Sequence, residues 1–112
     1  MSAATYQRAI TPEAIGAGRT RYLTHTDHLM MVVIDCTDGP KEQPDPPHHH
    51  PHEQVTYIAE GEVIFFIEGT PHRLSAGDMI AVPPNLPHSI QPLTPKVRLV
   101  DTFTPIRDEF LR

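Results

Sequence analysis

Four of the chain's eight histidines fall within five positions: His48, His49, His50 and His52, with Pro51 between the last two. In extended backbone alternate residues share a face, so His48, His50, His52 and Gln54 point one way and His49 and Pro51 the other. One face then carries three imidazoles and an amide. Imidazole suits Fe, Ni, Cu and Zn, and a His-x-His pair on a strand presents two nitrogens to one ion if the chain bends slightly. The bland alternative is a solvated, flexible histidine-rich loop. A second anomaly lies near the C-terminus, where Val97, Leu99, Asp101 and Phe103 alternate on one apolar face and a carboxylate therefore points at the core. A charge there needs a partner or a task. Arg107 is within reach as that partner, and an Asp101–Arg107 ion pair anchoring the C-terminal tail weighs equally with a role toward a substrate.

The elements that must position these groups are short strands. Thirteen prolines and six glycines in 112 residues interrupt the chain too often for long helices, and the length suits one domain over 1–112. Runs over 29–34, 54–59, 62–67, 70–74, 79–82, 88–91 and 96–104 read as strands separated by turns at Glu60-Gly61, Glu68-Gly69 and Ala76-Gly77-Asp78. Seven or eight such strands describe an all-β sandwich or small barrel. Residues 1–18 read as a loosely structured arm with one capped helical turn from Thr11, and 35–47 as a proline-rich surface loop. A formal net charge of −5 removes the broad basic surface that nucleic acid or an anionic membrane requires. Without a signal-like or membrane-length apolar run, a cytoplasmic protein is expected. Cys36, the one cysteine, reads as a structural thiol, and Met30 and Met31 as core packing. The stretch 62–67 is apolar on both faces, which points to a homodimer interface around Phe66.

A second constellation follows the histidine cluster. The two together read His48-x-His50-x3-Gln54-x6-Gly61, fifteen residues, then Gly77-x5-Pro83-x-Asn85-x2-His88. This paired spacing resembles the two motifs of the cupin superfamily. The resemblance implies a single-domain double-stranded β-helix, a jelly-roll barrel, holding one divalent transition metal ion (Ni, Zn, Fe, Mn or Cu) by His48, His50, Gln54 and His88. Gln54 stands where the motif usually has Glu, so the ion would keep its full double charge and act as a stronger Lewis acid. Asn85 replaces a motif glycine, which Asn can do at positive φ. Pro92 stands where the second motif often ends in Asn. On a straight strand residues 50 and 54 lie about 13 Å apart, which favours His52 as third ligand, whereas the resemblance favours Gln54 and a bend near Pro51.

A narrower resemblance rests on His48-x-His50-Pro51-His52-Glu53-Gln54, Glu60-Gly61-Glu62, Gly77-Asp78 and the ending Asp101-x-Phe103-x-Pro105-x-Arg107-Asp108-x-Phe110-Leu111. These residues are similar to the KdgF-type group of small cupins, which open the ring of 4,5-unsaturated monouronates to a linear keto form. That likeness implies a small anionic sugar acid as substrate, with Asp101, Phe103 and Arg107 facing it; in a metal-assisted ring opening of this kind Asp101 or His52 would move a proton. The competing functions are a non-haem metal dioxygenase, since three histidines can hold Fe(II) with open positions, and a non-catalytic binder of a metal or sugar.

Overall fold

The computed structural model describes residues 3–111. β3 (Met30–Cys36), β4 (Glu53–Glu60) and β9 (Val97–Thr104) alternate buried and open positions, the pattern of strands with one face on a core. With β1 (Glu13–Gly16), β2 (Arg19–His25) and β7 (Met79–Val82) they form a six-stranded antiparallel sheet in the order β1-β2-β3-β9-β4-β7. β5 (Glu62–Ile67), β6 (Thr70–Ser75) and β8 (His88–Pro92) form a second sheet, in the order β6-β5-β8. Cys36, Ile58, Val63, Val97 and Leu99 make one buried cluster drawn from both sheets. A second, of Met30, Val32 and Phe103, receives Ile106 and Phe110 from the C-terminal tail. The jelly-roll expected from the sequence is the fold observed. Among the described residues no helix is long and apolar enough to cross a membrane.

Turn chemistry follows the expected punctuation. Glu68 (φ 49°) and Gly69 (φ 78°) give β5 and β6 a two-residue turn with both centres left-handed, the geometry that fits strand twist. Asn85 adopts φ 67°, so an asparagine does fill the glycine-like position of the second motif.

Three segments differ from the sequence reading. Residues 11–15 do not make a helical turn: Glu13–Gly16 pairs with β2, so the arm ends in a short hairpin, preceded by a 3-10 turn at Gln7–Ala9. β2 escapes a hydrophobic-pattern reading because Arg19 and Arg21 occupy inward positions. Arg19 donates to Asp45 through both Nη atoms (2.8 and 3.1 Å) and to Asp38 through Nε (2.9 Å), and its side chain is only 15% exposed. The proline-rich segment is a surface loop as read, except that Asp35 and Cys36 belong to β3, and it is tied down along its length. The amides of Lys41, Asp45 and His48 donate to the carbonyls of Pro92, Ile90 and His88 (2.8, 2.9 and 3.0 Å), an intermittent ladder along β8 with one isolated β-bridge at His48. Prolines at 44, 46 and 47 lack donors, which is why the ladder is intermittent.

The apolar surface also lies elsewhere than expected. Ile64 and Phe66 are half-buried, with Pro44, Pro47 and Pro87 around Phe66, whereas Leu29, Met31, Val55, Tyr57 and Met79 are exposed on the six-stranded sheet and at its margin. Met31 is therefore a surface residue and only Met30 packs in the core. Cys36 is fully buried, and burial pushes its thiol up to about 11, as a structural role requires.

Candidate metal centre

An isolated bridge at the end of the proline-rich loop places His48 opposite His88, each amide donating to the other's carbonyl (3.0 and 2.8 Å). His50 lies just before β4, and its carbonyl accepts from the Asn85 amide (2.8 Å), so the second-motif turn clasps the first motif. The ring centroids of His48 and His50 lie 4.3 and 4.9 Å from that of His88. One nitrogen from each of the three falls within 4.8 Å of the others, a grouping that can hold a metal ion.

Hydrogen-bond logic fixes which atoms face inward. His50 Nδ1 lies 3.2 Å from the His52 carbonyl and His88 Nδ1 2.9 Å from the Leu86 carbonyl. A carbonyl only accepts, so His88 Nδ1 carries the proton and its Nε2 presents a lone pair, whereas neutral His50 has one proton and an acceptor facing each ring nitrogen. His88 Nε2 is buried with no protein partner. His50 Nε2 lies 3.1 Å from Gln54 Oε1, itself an acceptor. With the His50 proton on Nδ1, Nε2 and Oε1 are two acceptors that repel unless a cation lies between or beside them. That separation is short enough for both atoms to ligate one metal ion. Burial is the leading cause that holds His48, His50 and His88 below the usual histidine range, and neighbouring positive charges, Arg107 among them, add to it. His48 belongs to this set although solvent reaches it at the rim. Neutral imidazole is the form that coordinates.

Beside this cluster a cavity of ≈ 210 Å³ is lined by His48, Gln54, His88, Asp101, Phe103 and Arg107. That is smaller than the usual drug-sized pocket and suits a monosaccharide-sized ligand. Strand register puts Asp101 of β9 opposite Thr56 of β4, and Phe103 opposite Gln54. Thr56 donates to Asp101 Oδ1 (2.7 Å) and accepts from Gln54 Nε2 (3.0 Å). Burial pushes the Asp101 carboxyl up to about 6, against the opposing effects of the Thr56 hydrogen bond and the Arg107 charge.

Arg107 and Asp101 do not form the anchoring ion pair weighed from their spacing. Arg107 Nε donates instead to Glu109 (2.8 Å), and its guanidinium lies over the Phe110 ring, 4.2 Å from the centroid. Arg21 covers the same ring at 3.9 Å. Phe110 thus lies against two guanidinium groups and lines the cavity with Phe103, 6.0 Å away. Arg21, Phe110 and Thr56 belong to the site and were given no role by sequence reasoning. Thr56 had a signal, since it follows Gln54 by two on one strand and so shares its face. His52 is not one of the three grouped histidines. Its ring packs edge-on against His50 (5.3 Å) and near Phe103 (6.1 Å), and its Nδ1 is buried and unpartnered. His49 is exposed.

Comparison with known proteins gives concordant results. Residues 34–101 match the cupin domain family. The chain is 36% identical over 100 residues to the pectin degradation protein KdgF of Dickeya dadantii, covering 88% of this chain and 89% of that protein. Among solved structures, KdgF from Halomonas sp. superposes with a TM-score of 0.88 at 28% identity, over 98% of this chain and 99% of that one. An RmlC-like cupin from Shewanella frigidimarina gives a TM-score of 0.87 at 32% identity, over 98% and 96%.

Proposed function

This chain belongs to the cupin family, in the company of the pectin degradation protein KdgF, and from that membership we propose that it opens the ring of a 4,5-unsaturated monouronate to a linear keto acid. The observation that carries the proposal is a single cavity in which inward-facing acceptors of His88 and Gln54 meet a carboxylate, Asp101, and a guanidinium, Arg107. His48, His50, Gln54 and His88 would hold one divalent first-row ion. When bound, that ion supplies a Lewis acid for a substrate oxygen.

The chain's own residues account for the rest. Arg107, braced by Glu109 and Phe110, holds the substrate carboxylate, and Phe103 packs against the sugar ring. Asp101 takes the proton of the anomeric hydroxyl as the bond between C1 and the ring oxygen breaks. C1 becomes an aldehyde, and the electron pair stays on the ring oxygen as an enolate. The proton is then delivered to C4, and C5 becomes a ketone. No atom is gained or lost and nothing is oxidised. A carboxyl near pH 6 is suited to take and return a proton at neutral pH. His52, with its unpartnered Nδ1, is the second group able to hold one. The protein would act in the cytoplasm as a homodimer, with the exposed apolar face of the six-stranded sheet as the surface for a second copy.

The test is incubation of the metal-loaded protein with the unsaturated monouronate released from pectin, following loss of the conjugated ultraviolet absorbance and appearance of the keto acid by NMR. Equal turnover with and without oxygen is expected. Oxygen-dependent turnover would move the reading to a dioxygenase, and stoichiometric binding without turnover to a binder.

A further inference from the structure

We propose that Thr56 sets which end of the Gln54 amide meets the ion, holding the amide oxygen inward through a hydrogen-bond chain that ends on Asp101. The inference rests on the metal centre of the proposed function and assigns a positioning residue within it.

An amide side chain has two ends of nearly equal shape and opposite polarity. Only the oxygen can ligate a cation, so a glutamine ligand must be told which way to face. Thr56 is 1% exposed and sits two residues along β4 from Gln54, on the same face, with Asp101 directly across on β9. Its hydroxyl carries one proton, which goes to Asp101 Oδ1 at 2.7 Å. Toward Gln54, 3.0 Å away, the hydroxyl can then only accept, and the end of the amide that meets it must be the NH2. The oxygen is left facing His50 Nε2 at 3.1 Å, on the side of the three histidines. Among the described residues the Gln54 NH2 makes no other side-chain hydrogen bond, so this single hydroxyl decides the orientation. The carboxylate at the far end also draws on the amide protons and enriches the oxygen, returning to a neutral ligand part of the charge that a glutamate would bring. A glutamate at 54 would have no wrong end and no need of Thr56.

The experiment titrates zinc into the full, metal-free chain by calorimetry at pH 7.5, for the parent, Thr56→Val, Thr56→Ala and Thr56→Ser, each also in a Gln54→Glu background. In the Gln54 background, Thr56→Val and Thr56→Ala should weaken zinc binding by about 10–100-fold, the usual effect of losing an outer-shell partner, while Thr56→Ser stays near the parent. In the Gln54→Glu background removal of the hydroxyl should cost little, a coupling that general damage to the strand would not produce. Circular dichroism of the metal-free variants identifies any that do not fold, and either hydroxyl-free variant suffices. Parental affinity in both, a Thr56→Ser as weak as Thr56→Val, or an equal loss in the Gln54→Glu background overturns the inference while leaving the metal centre standing. Absence of stoichiometric zinc binding by the parent overturns both.

Discussion

Asp101→Asn separates what the carboxylate does for the fold from what it does for the reaction, because the two effects have opposite signs. The Asp101 carboxyl rises from its usual 3.8 to about 6, with burial as the main cause. That rise corresponds to about 3 kcal/mol by which the folded state disfavours the ionised form. The sign follows from a folded-state value lying above the unfolded one. The penalty is absent below about pH 4, grows as the pH climbs past the unfolded value, and is complete above about pH 6. Asparagine keeps an oxygen to accept from Thr56 and removes the charge, but it buries an NH2 that costs about 1 kcal/mol if unpaired. The metal-free Asn variant should therefore gain about 2 kcal/mol at pH 7.5, or about 8 °C in Tm for a domain of this size, and lose that gain at pH 4. The same variant should turn over about 100-fold slower or worse, since the group that moves the proton is gone. Thermal and urea unfolding of chelator-treated protein at the two pH values measures the first effect, and kcat at saturating substrate the second. A variant less stable than the parent at pH 7.5, or one whose gain does not change with pH, would refute the account of Asp101 as a carboxylate kept at a cost to stability.

Further expectations follow from the same geometry. His88→Ala should abolish stoichiometric binding of a divalent ion while His49→Ala leaves it intact, measured by elemental analysis after dialysis; equal loss in both would mean the cluster binds metal only as a loose loop. Arg107→Ala should raise KM for the unsaturated uronate with a smaller effect on kcat, because a hold on the carboxylate is common to ground and transition state, and a fall in kcat alone would contradict that role. Light scattering should give a dimer that Val55→Asp or Met79→Asp breaks and Phe66→Glu does not, since the first two are exposed on the broad sheet face and Phe66 is half-buried; a monomeric parent would dismiss the dimer.

Much of the site was legible because its groups recur at short, fixed spacings. His48, His50 and His88 come together as their motif positions imply, and Asp101 points inward as the alternation of β9 requires. The straight-strand argument that favoured His52 over Gln54 failed for a physical reason. β4 begins only at Glu53, and the preceding bend, with His50 bound to His52 O and to the Asn85 amide, brings Gln54 back to the imidazoles. What stayed hidden has a common character. Arg19 meets Asp45 from 26 residues away, Thr56 meets Asp101 from 45, and Arg21 covers Phe110. Hydrophobic periodicity assigns polar residues to solvent, so inward-facing polar residues whose partners lie far along the chain invert the reading of each strand they sit on. That is why β2 was missed and Thr56 passed over. Such residues are tolerable inside only because each has a partner, and a fold that carries several of them around one cavity concentrates its exceptions where its chemistry is. Two polar groups share the interior: Arg19 ties the proline-rich loop that leads to His48, and Thr56 links Asp101 to Gln54. The loop that opposes His88 and the orientation of the Gln54 amide are fixed by contacts that no local pattern encodes.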